Sequence, residues 1–156
     1  MKLADFVVTQ AIVPELQATD RNGVIRELVA ALADAGRIAS DDIADISREI
    51  IKRENQGSTG FGKGVAVPHA KHAKAGGVAA AIGRSSKGVD FSALDRAPVY
   101  TIILLLSPPD NPDLHLQAME NIFRHLQHEN FRRFLRQAAT REAILDLLRE
   151  ADESSG

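Results

Sequence analysis

The chain has no cysteine among its 156 residues. Disulfide bonds, thiolate catalysis and cysteine-ligated metals are therefore excluded, and a reducing compartment is permitted. Long apolar runs are also missing: Val99–Leu106 is far too short to cross a bilayer, and Met1–Gln10 lacks the apolar run of a secretory signal. We therefore expect a cytoplasmic protein that does not insert into a membrane.

An excess of basic residues is absent as well. Nineteen Lys and Arg stand against twenty-one Asp and Glu, which gives a formal net charge of −2. This balance provides no general attraction for nucleic acids or anionic membranes. The one basic patch is formed by Arg132, Arg133 and Arg136, which we interpret as the solvated face of a helix.

The first third of the chain predicts one strand followed by two helices. Ala11–Leu16 is a candidate edge strand, because its proline cannot donate in a central ladder. Asp20 can cap a helix that ends at Gly36, and Ser40 opens a second helix that runs to about Glu54.

The rest of the chain predicts short strands and then more helices. The strands are expected around Val65–Val67 and Val78–Ile82 and at Val99–Leu106. Asn111 then caps a helix with proline at its first position. Shorter helices follow from about Asn130 and about Thr140, and the tail 152–156 is expected to fray. One three-layer domain over residues 1–156, with its core at about 11–150 and helices on both faces of a sheet, is the packing this order favours.

Three alternating glycines, Gly60, Gly62 and Gly64, stand in the middle of the chain. Such glycines permit close backbone approach or unusual φ angles. The spacing differs from the dinucleotide-binding fingerprint, and no Lys-Ser/Thr pair completes a P-loop. The pattern therefore argues against nucleotide binding.

His69 follows a predicted buried strand directly after Pro68, which favours extended or turn geometry. We expect His69 on a rigid turn at the edge of the sheet. Neutral imidazole is a good nucleophile, and if a backbone carbonyl held one N–H, the other nitrogen would face outward. The alternative is an ordinary hydrogen-bonded turn histidine.

A second histidine, His115, lies at the start of the helix that Asn111 caps. Together with Met119, Ile122 and Leu126 it forms a stripe at helical spacing, so it should face the protein body. It is either a buried core histidine or a residue that contacts an anion, which a helix N-terminus favours.

The segment Ser58–His69, STGFGKGVAVPH, resembles the active-site signature of enzyme IIA domains of the fructose/mannitol class in the bacterial sugar phosphotransferase system. It is especially similar to their nitrogen-related regulatory branch. Arg53-Glu54 and His115-Leu-Gln extend the resemblance. The resemblance implies an α+β fold with a mixed sheet of about five strands. It also implies a phosphotransferase without a cofactor, which accepts a phosphoryl group from the carrier HPr and passes it to an enzyme IIB domain.

The resemblance also implies a role for individual residues. His69 is the phosphorylated nucleophile, while Arg53 and His115 orient the phosphoryl group. The implied phosphoryl-binding loop consists of Ser58, Thr59, Gly60, Gly62, Gly64 and Pro68. Phe61 is expected to contact the HPr partner on an apolar rim, together with Phe91. The sequence departs from the family pattern at Lys63, where many members carry Asn, and at His72, which is not a general feature of the signature.

Two other functions remain open at this stage. A regulatory protein that signals through its phosphorylation state would use the same His69, so sequence cannot separate it from a sugar phosphocarrier. A metal-binding module would use the pairs His69/His72 and His125/His128. Cysteine is absent, and no carboxylate stands at a clear ligand spacing. We expect no metal, and we expect His125 and His128 on a solvated helix end.

Overall fold

The computed structural model describes residues 1–154 as a six-stranded sheet with helices on both of its faces. The strands are β1 (Val7–Val13), β2 (Gly60–Gly62), β3 (Val65–Ala66), β4 (His69–Lys71), β5 (Ala79–Val89) and β6 (Val99–Ser107). The helices are α1 (Arg21–Asp34), α2 (Ile43–Gln56), α3 (Pro112–Leu126), α4 (Glu129–Gln137) and α5 (Arg141–Ser154). No helix within this part of the chain is long and apolar enough to span a membrane.

The sheet is mixed, as predicted. Its order is β1-β5-β6-β3-β2, and β4 also pairs with β6. β1 runs parallel to β5, and β3 and β4 run parallel to β6, whereas β5 and β6 are antiparallel. The two strands that sequence analysis missed, β2 and β4, have three residues each and carry no apolar alternation.

Alternate residues of β6 serve two separate cores. Ile102 and Leu104 pack on the face covered by α1 and α2, while Ile103 and Leu105 pack on the face covered by α3, α4 and α5. Successive side chains of a strand point to opposite faces, so a continuous apolar run identifies a strand that is buried on both sides. This arrangement confirms the three-layer prediction.

The predicted helix boundaries agree well with the structure. The Asp20 carboxylate accepts a hydrogen bond from the backbone N–H of Gly23 at 3.2 Å, which caps α1. Gly36 follows this helix with φ of +79°, a conformation that favours glycine. A 3₁₀ turn at Ser40–Asp42 leads into α2, and Pro112 is the first residue of α3.

Three elements have boundaries that differ from the prediction. β1 spans Val7–Val13 rather than Ala11–Leu16, and β5 continues to Val89. The prediction for β5 stopped at residue 82 because a glycine and four polar residues interrupt the apolar pattern there. The tail expected to fray from Asp152 is instead helical to Ser154; the remaining two residues of that predicted tail, 155 and 156, lie outside the described part of the chain. The buried Asp152 carboxylate accepts backbone hydrogen bonds from residues 3 and 4 at 2.7 and 3.0 Å, which holds this end.

Candidate active site

His69 is the first residue of β4, where it pairs with Leu105 of β6. The expectation of a turn is therefore wrong in detail. β3 stops at Ala66, and pairing to β6 resumes after the break, since Leu105 donates its N–H to the carbonyl of Pro68 at 3.0 Å. Proline cannot donate to a ladder, which explains why the strand is interrupted immediately before His69.

The ring of His69 is held by the backbone two residues before it, in the break between β3 and β4. Its Nδ1 lies 2.8 Å from the carbonyl oxygen of Val67. A carbonyl can only accept, so Nδ1 carries the proton and Nε2 keeps its lone pair in the neutral ring. Burial lowers the pKa of His69 below its usual 6.5, and the charges of Arg53 and Lys71 act in the same direction against the Val67 hydrogen bond. These effects favour a neutral imidazole whose nucleophilic nitrogen is Nε2.

His115 lies beside His69, with ring centroids 5.8 Å apart. It sits in the first turn of α3, and only 9% of its surface is exposed, as the apolar stripe predicted. Its Nδ1 is 2.6 Å from the hydroxyl oxygen of Ser107. Burial, together with the charges of His69 and Lys71, lowers the pKa of His115 to about 4.

Arg53 is the third predicted catalytic residue, after His69 and His115. It lies in the last turn of α2, where its Nη1 donates to the carbonyl of Gly57 at 2.9 Å. A cavity of about 400 Å³ is lined by Glu49, Lys52, Arg53, Gln56, His69, Ala70, Lys71 and His115. Lys52 and Lys71 were missed by sequence analysis. Lys71 could have been found, because residues i and i+2 of a strand share a face.

The hydroxyl residues of the signature are engaged in holding the loop. Ser58 donates its hydroxyl to the carbonyl of Phe91 at 2.7 Å. Thr59 donates both its hydroxyl and its backbone N–H to the buried carboxylate of Glu54, each at 2.7 Å. The Thr59 bonds attach the loop to the end of α2, and the Ser58 bond attaches it to the segment after β5. Neither residue lines the cavity of His69, so a direct phosphoryl contact from them stays a prediction.

The glycines lie on a hairpin rather than around His69. Gly62, the last residue of β2, has φ of +101°, and Gly64, in the turn between β2 and β3, has φ of +78°. Gly60 pairs with β3. Val65 and His69 pair with positions of β6 that are four residues apart, a distance of about 13 Å along a strand. The implied place of Gly62 and Gly64 in the phosphoryl-binding loop conflicts with this separation. Gly64 instead lines a second cavity, which is also lined by Arg132, Arg133 and Arg136.

The predicted aromatic rim is only partly present. Phe61 is half-buried, and its ring centroid is 5.3 Å from that of Phe123. Phe91 is buried in the core, so its predicted partner contact is wrong. The exposed apolar residues near the site are Leu114 and Leu116, which flank His115 and are 36% and 57% exposed. Sequence analysis identified neither of these two exposed side chains.

The remaining histidines have different surroundings. His72 accepts the N–H of Lys74 at Nδ1, so its Nε2–H donates to the Asp45 carboxylate at 2.6 Å, which joins the end of β4 to α2. His125 is buried against the ring of Phe131, which contradicts the solvated position expected for it. His128 is exposed before α4. Residues 1–154 contain no group of three or more His, Asp or Glu side chains placed to hold a metal ion.

Residues 6–151 match the family described as the phosphoenolpyruvate-dependent sugar phosphotransferase system, EIIA 2. The chain therefore belongs to this family, whose members are phosphotransfer components of that system.

Similar proteins come from both the sugar-transport and the nitrogen-regulatory branches. The fructose-specific EIIABC component of the phosphotransferase system of Bacillus subtilis strain 168 is 32% identical over 98% of the chain, which spans only 24% of that protein. The nitrogen regulatory protein IIA-Ntr of Neisseria meningitidis superposes with a TM-score of 0.83 at 26% identity, covering 94% of this chain and 98% of that one. The fold is also shared with mannitol enzyme IIA of Escherichia coli, solved in complex with phosphorylated enzyme IIB, with a TM-score of 0.75 and 17% identity over 90% and 95% of the two chains.

Proposed function

We propose that this protein carries a phosphoryl group on Nε2 of His69, accepting it from the phosphohistidine of an HPr-type carrier and passing it to an enzyme IIB domain. The observation that supports this most is the hydrogen bond from Nδ1–H to the Val67 carbonyl. It leaves Nε2 as the nucleophilic atom of a ring that lines a cavity with Arg53 and His115. The proposal places the protein in the cytoplasm, with which its lack of cysteine agrees.

The transfer step needs positioning and charge stabilisation more than it needs covalent chemistry by the protein. The lone pair on Nε2 of His69 attacks phosphorus, the donor's P–N bond breaks, and its electron pair returns to the donor imidazole. The phosphorylated ring of His69, still protonated at Nδ1, carries positive charge. The Val67 carbonyl at 2.8 Å stabilises that charge.

Arg53 is suited to hold the transferred group. Its guanidinium spends one N–H on the Gly57 carbonyl, and the remaining donors form a planar fork that matches phosphoryl oxygens. Lys52 and Lys71, which line the same cavity, add positive charge where the transferred oxygens would lie.

A regulatory use of the same phosphorylation remains a second candidate. It is favoured by the similarity to the Neisseria nitrogen regulatory protein along almost the full length of both chains. The two functions differ only in what happens after phosphorylation: a carrier passes the phosphoryl group to an enzyme IIB domain, whereas a regulator signals through its phosphorylated form. Transfer from the labelled protein to enzyme IIB domains of the fructose and mannitol systems supports the carrier function. A stable phosphorylated form that no such domain discharges supports the regulatory one.

The labelling experiment tests both forms of the proposal. The protein is incubated with enzyme I, HPr and ³²P-phosphoenolpyruvate, and acid-labile label is mapped by proteolysis. We expect label on the peptide containing His69 and none in the His69→Gln variant. The exposed histidine of the matched control, His128→Gln, lies outside the cavity and should not affect labelling. Full labelling of His69→Gln would refute the assignment.

A further inference from the structure

Ser107 is a buried polar residue at the end of β6 that sequence analysis did not single out. Its surface is completely buried, and its hydroxyl oxygen lies 2.6 Å from Nδ1 of His115. Its backbone carbonyl accepts the N–H of His72 at 2.9 Å. Ser107 therefore joins the strand that carries His69 to the helix that carries His115.

The direction of the Ser107–His115 hydrogen bond follows from the surroundings of the hydroxyl. Within residues 1–154, the only hydrogen-bond partner of Ser107 Oγ is Nδ1 of His115. A buried hydroxyl hydrogen without an acceptor costs about 1–3 kcal/mol. If Nδ1–H donated to Oγ, the hydroxyl hydrogen would have no acceptor. The serine therefore donates, and Nδ1 accepts.

This direction determines the tautomer of His115. A neutral imidazole that accepts at Nδ1 carries its proton on Nε2, and Nε2 is the polar atom left for the cavity that the ring lines. His69 is held in the opposite tautomer, protonated at Nδ1 by the Val67 carbonyl. The two adjacent rings thus present one lone pair and one N–H donor.

We propose that Ser107 is a positioning residue that holds His115 in its Nε2–H tautomer, so that His115 donates a hydrogen bond to a phosphoryl oxygen on His69 and cannot itself become a second phosphoryl acceptor at Nε2. This inference rests on the proposed function of His69. It makes His69 the phosphoryl acceptor and His115 the hydrogen-bond donor, although the two side chains are chemically identical.

The burial of His115 agrees with a neutral donor. With its pKa lowered to about 4, the ring stays uncharged at neutral pH. An uncharged Nε2–H can stabilise a phosphoryl oxygen without adding a charge that would repel the nearby Lys71.

The test begins with a spectroscopic measurement that needs no partner protein. In ¹⁵N-labelled protein at pH 7, the ring ¹⁵N shifts and their couplings to the ring protons distinguish Nε2–H from Nδ1–H. We expect Nε2–H for His115 and Nδ1–H for His69 in the wild type. In Ser107→Ala, His115 should become a mixture of both tautomers. Ser107→Cys keeps a weaker donor of similar shape and should remain mostly Nε2–H, which covers the case in which the alanine variant does not fold.

The matched control is Ser47→Ala. Ser47 is also a buried serine, but its hydroxyl has no hydrogen-bond partner among the described residues, and it lines a different cavity. It should leave both tautomers and the transfer rate unchanged. In single-turnover experiments, Ser107→Ala should slow onward transfer by less than the roughly hundredfold typical for complete loss of one oriented donor, because part of His115 keeps the Nε2–H form.

Three results would overturn the inference. The first is a wild-type His115 in the Nδ1–H form, the second is an unchanged tautomer in Ser107→Ala, and the third is wild-type transfer by that variant. Failure of the proposed function gives a different result: the tautomers would be as expected, yet wild-type His69 would take no label from HPr. That outcome would refute the role of His69 as phosphoryl acceptor, and with it the role of Ser107 as a positioning residue for phosphoryl transfer.

Discussion

Among residues 1–154, Arg53 is the only arginine that lines the cavity of His69, and Arg53→Ala removes its guanidinium. In the wild type one N–H of Arg53 donates to the Gly57 carbonyl at 2.9 Å, so this side chain anchors the loop after α2. Under the proposed function its other donors hold the phosphoryl group. Loss of one oriented donor costs about a hundredfold in rate. Because the positive charge is lost as well, we expect Arg53→Ala to slow both acceptance and onward transfer by at least about a hundredfold.

Arg53→Lys should restore the positive charge but not the planar set of N–H donors that a guanidinium provides. A lysine presents a single point of donors and cannot hold the Gly57 carbonyl and two phosphoryl oxygens together. We therefore expect a rate between those of wild type and Arg53→Ala. The matched control is Arg48→Ala on the same helix, whose guanidinium is 71% exposed and pairs with Asp45 outside the cavity.

Rapid-quench measurement with ³²P-labelled HPr separates the two steps. Circular dichroism and thermal unfolding of each variant verify that the loop and α2 remain folded. Wild-type rates in Arg53→Ala, in a protein shown to be folded, would refute the assignment of this residue to the phosphoryl group.

Four further predictions follow from the geometry. An NMR titration should give His69 a pKa below 6.5, so its Nε2 lone pair should persist at mildly acidic pH; a higher value would contradict the burial argument. For His115, the pKa in the folded protein is lowered to about 4, so the unfolded chain takes up a proton at a higher pH than the folded protein does. The free energy of unfolding should therefore fall as the pH drops from 6.5 towards 4. His115→Gln should flatten this pH dependence in urea unfolding. Glu54→Gln should destabilise the protein by about 1–3 kcal/mol in urea, because an amide N–H would face the donors of Thr59. Leu116→Ala should raise the KM for HPr about twofold to tenfold with an unchanged Tm, since this exposed side chain lies beside the site; an unchanged KM would exclude it from the contact.

Local signals in the sequence were sufficient for most of the framework. Asp20 and Pro112 marked helix starts because capping and proline preferences act over three or four residues. The apolar run from Val99 marked the central strand because burial on both faces requires it. β5 was predicted too short because pairing with β6 overrides the polar residues after Ile82, and such pairing is invisible to local patterning.

The side of a helix on which a site residue lies could be predicted from the sequence. Which residues lie close to His69 in space could not be predicted from their closeness to it in the sequence. The helical stripe placed His115 towards the interior correctly. Gly62 and Gly64 are close to His69 in sequence, but they precede Val65, and the chain runs about 13 Å along β6 from Val65 to His69. Ser107 joins the site through the pairing of β6 with β4, which only the three-dimensional register reveals.

The most direct test of the account is to determine which ring nitrogen of which histidine carries the phosphoryl group. The protein is phosphorylated through enzyme I and HPr, and ¹⁵N–³¹P couplings are recorded on the labelled ring. We expect phosphorus on Nε2 of His69, with Nδ1–H still donating its hydrogen bond to the carbonyl of Val67. Phosphorus on Nδ1 of His69, or on His115, would contradict it.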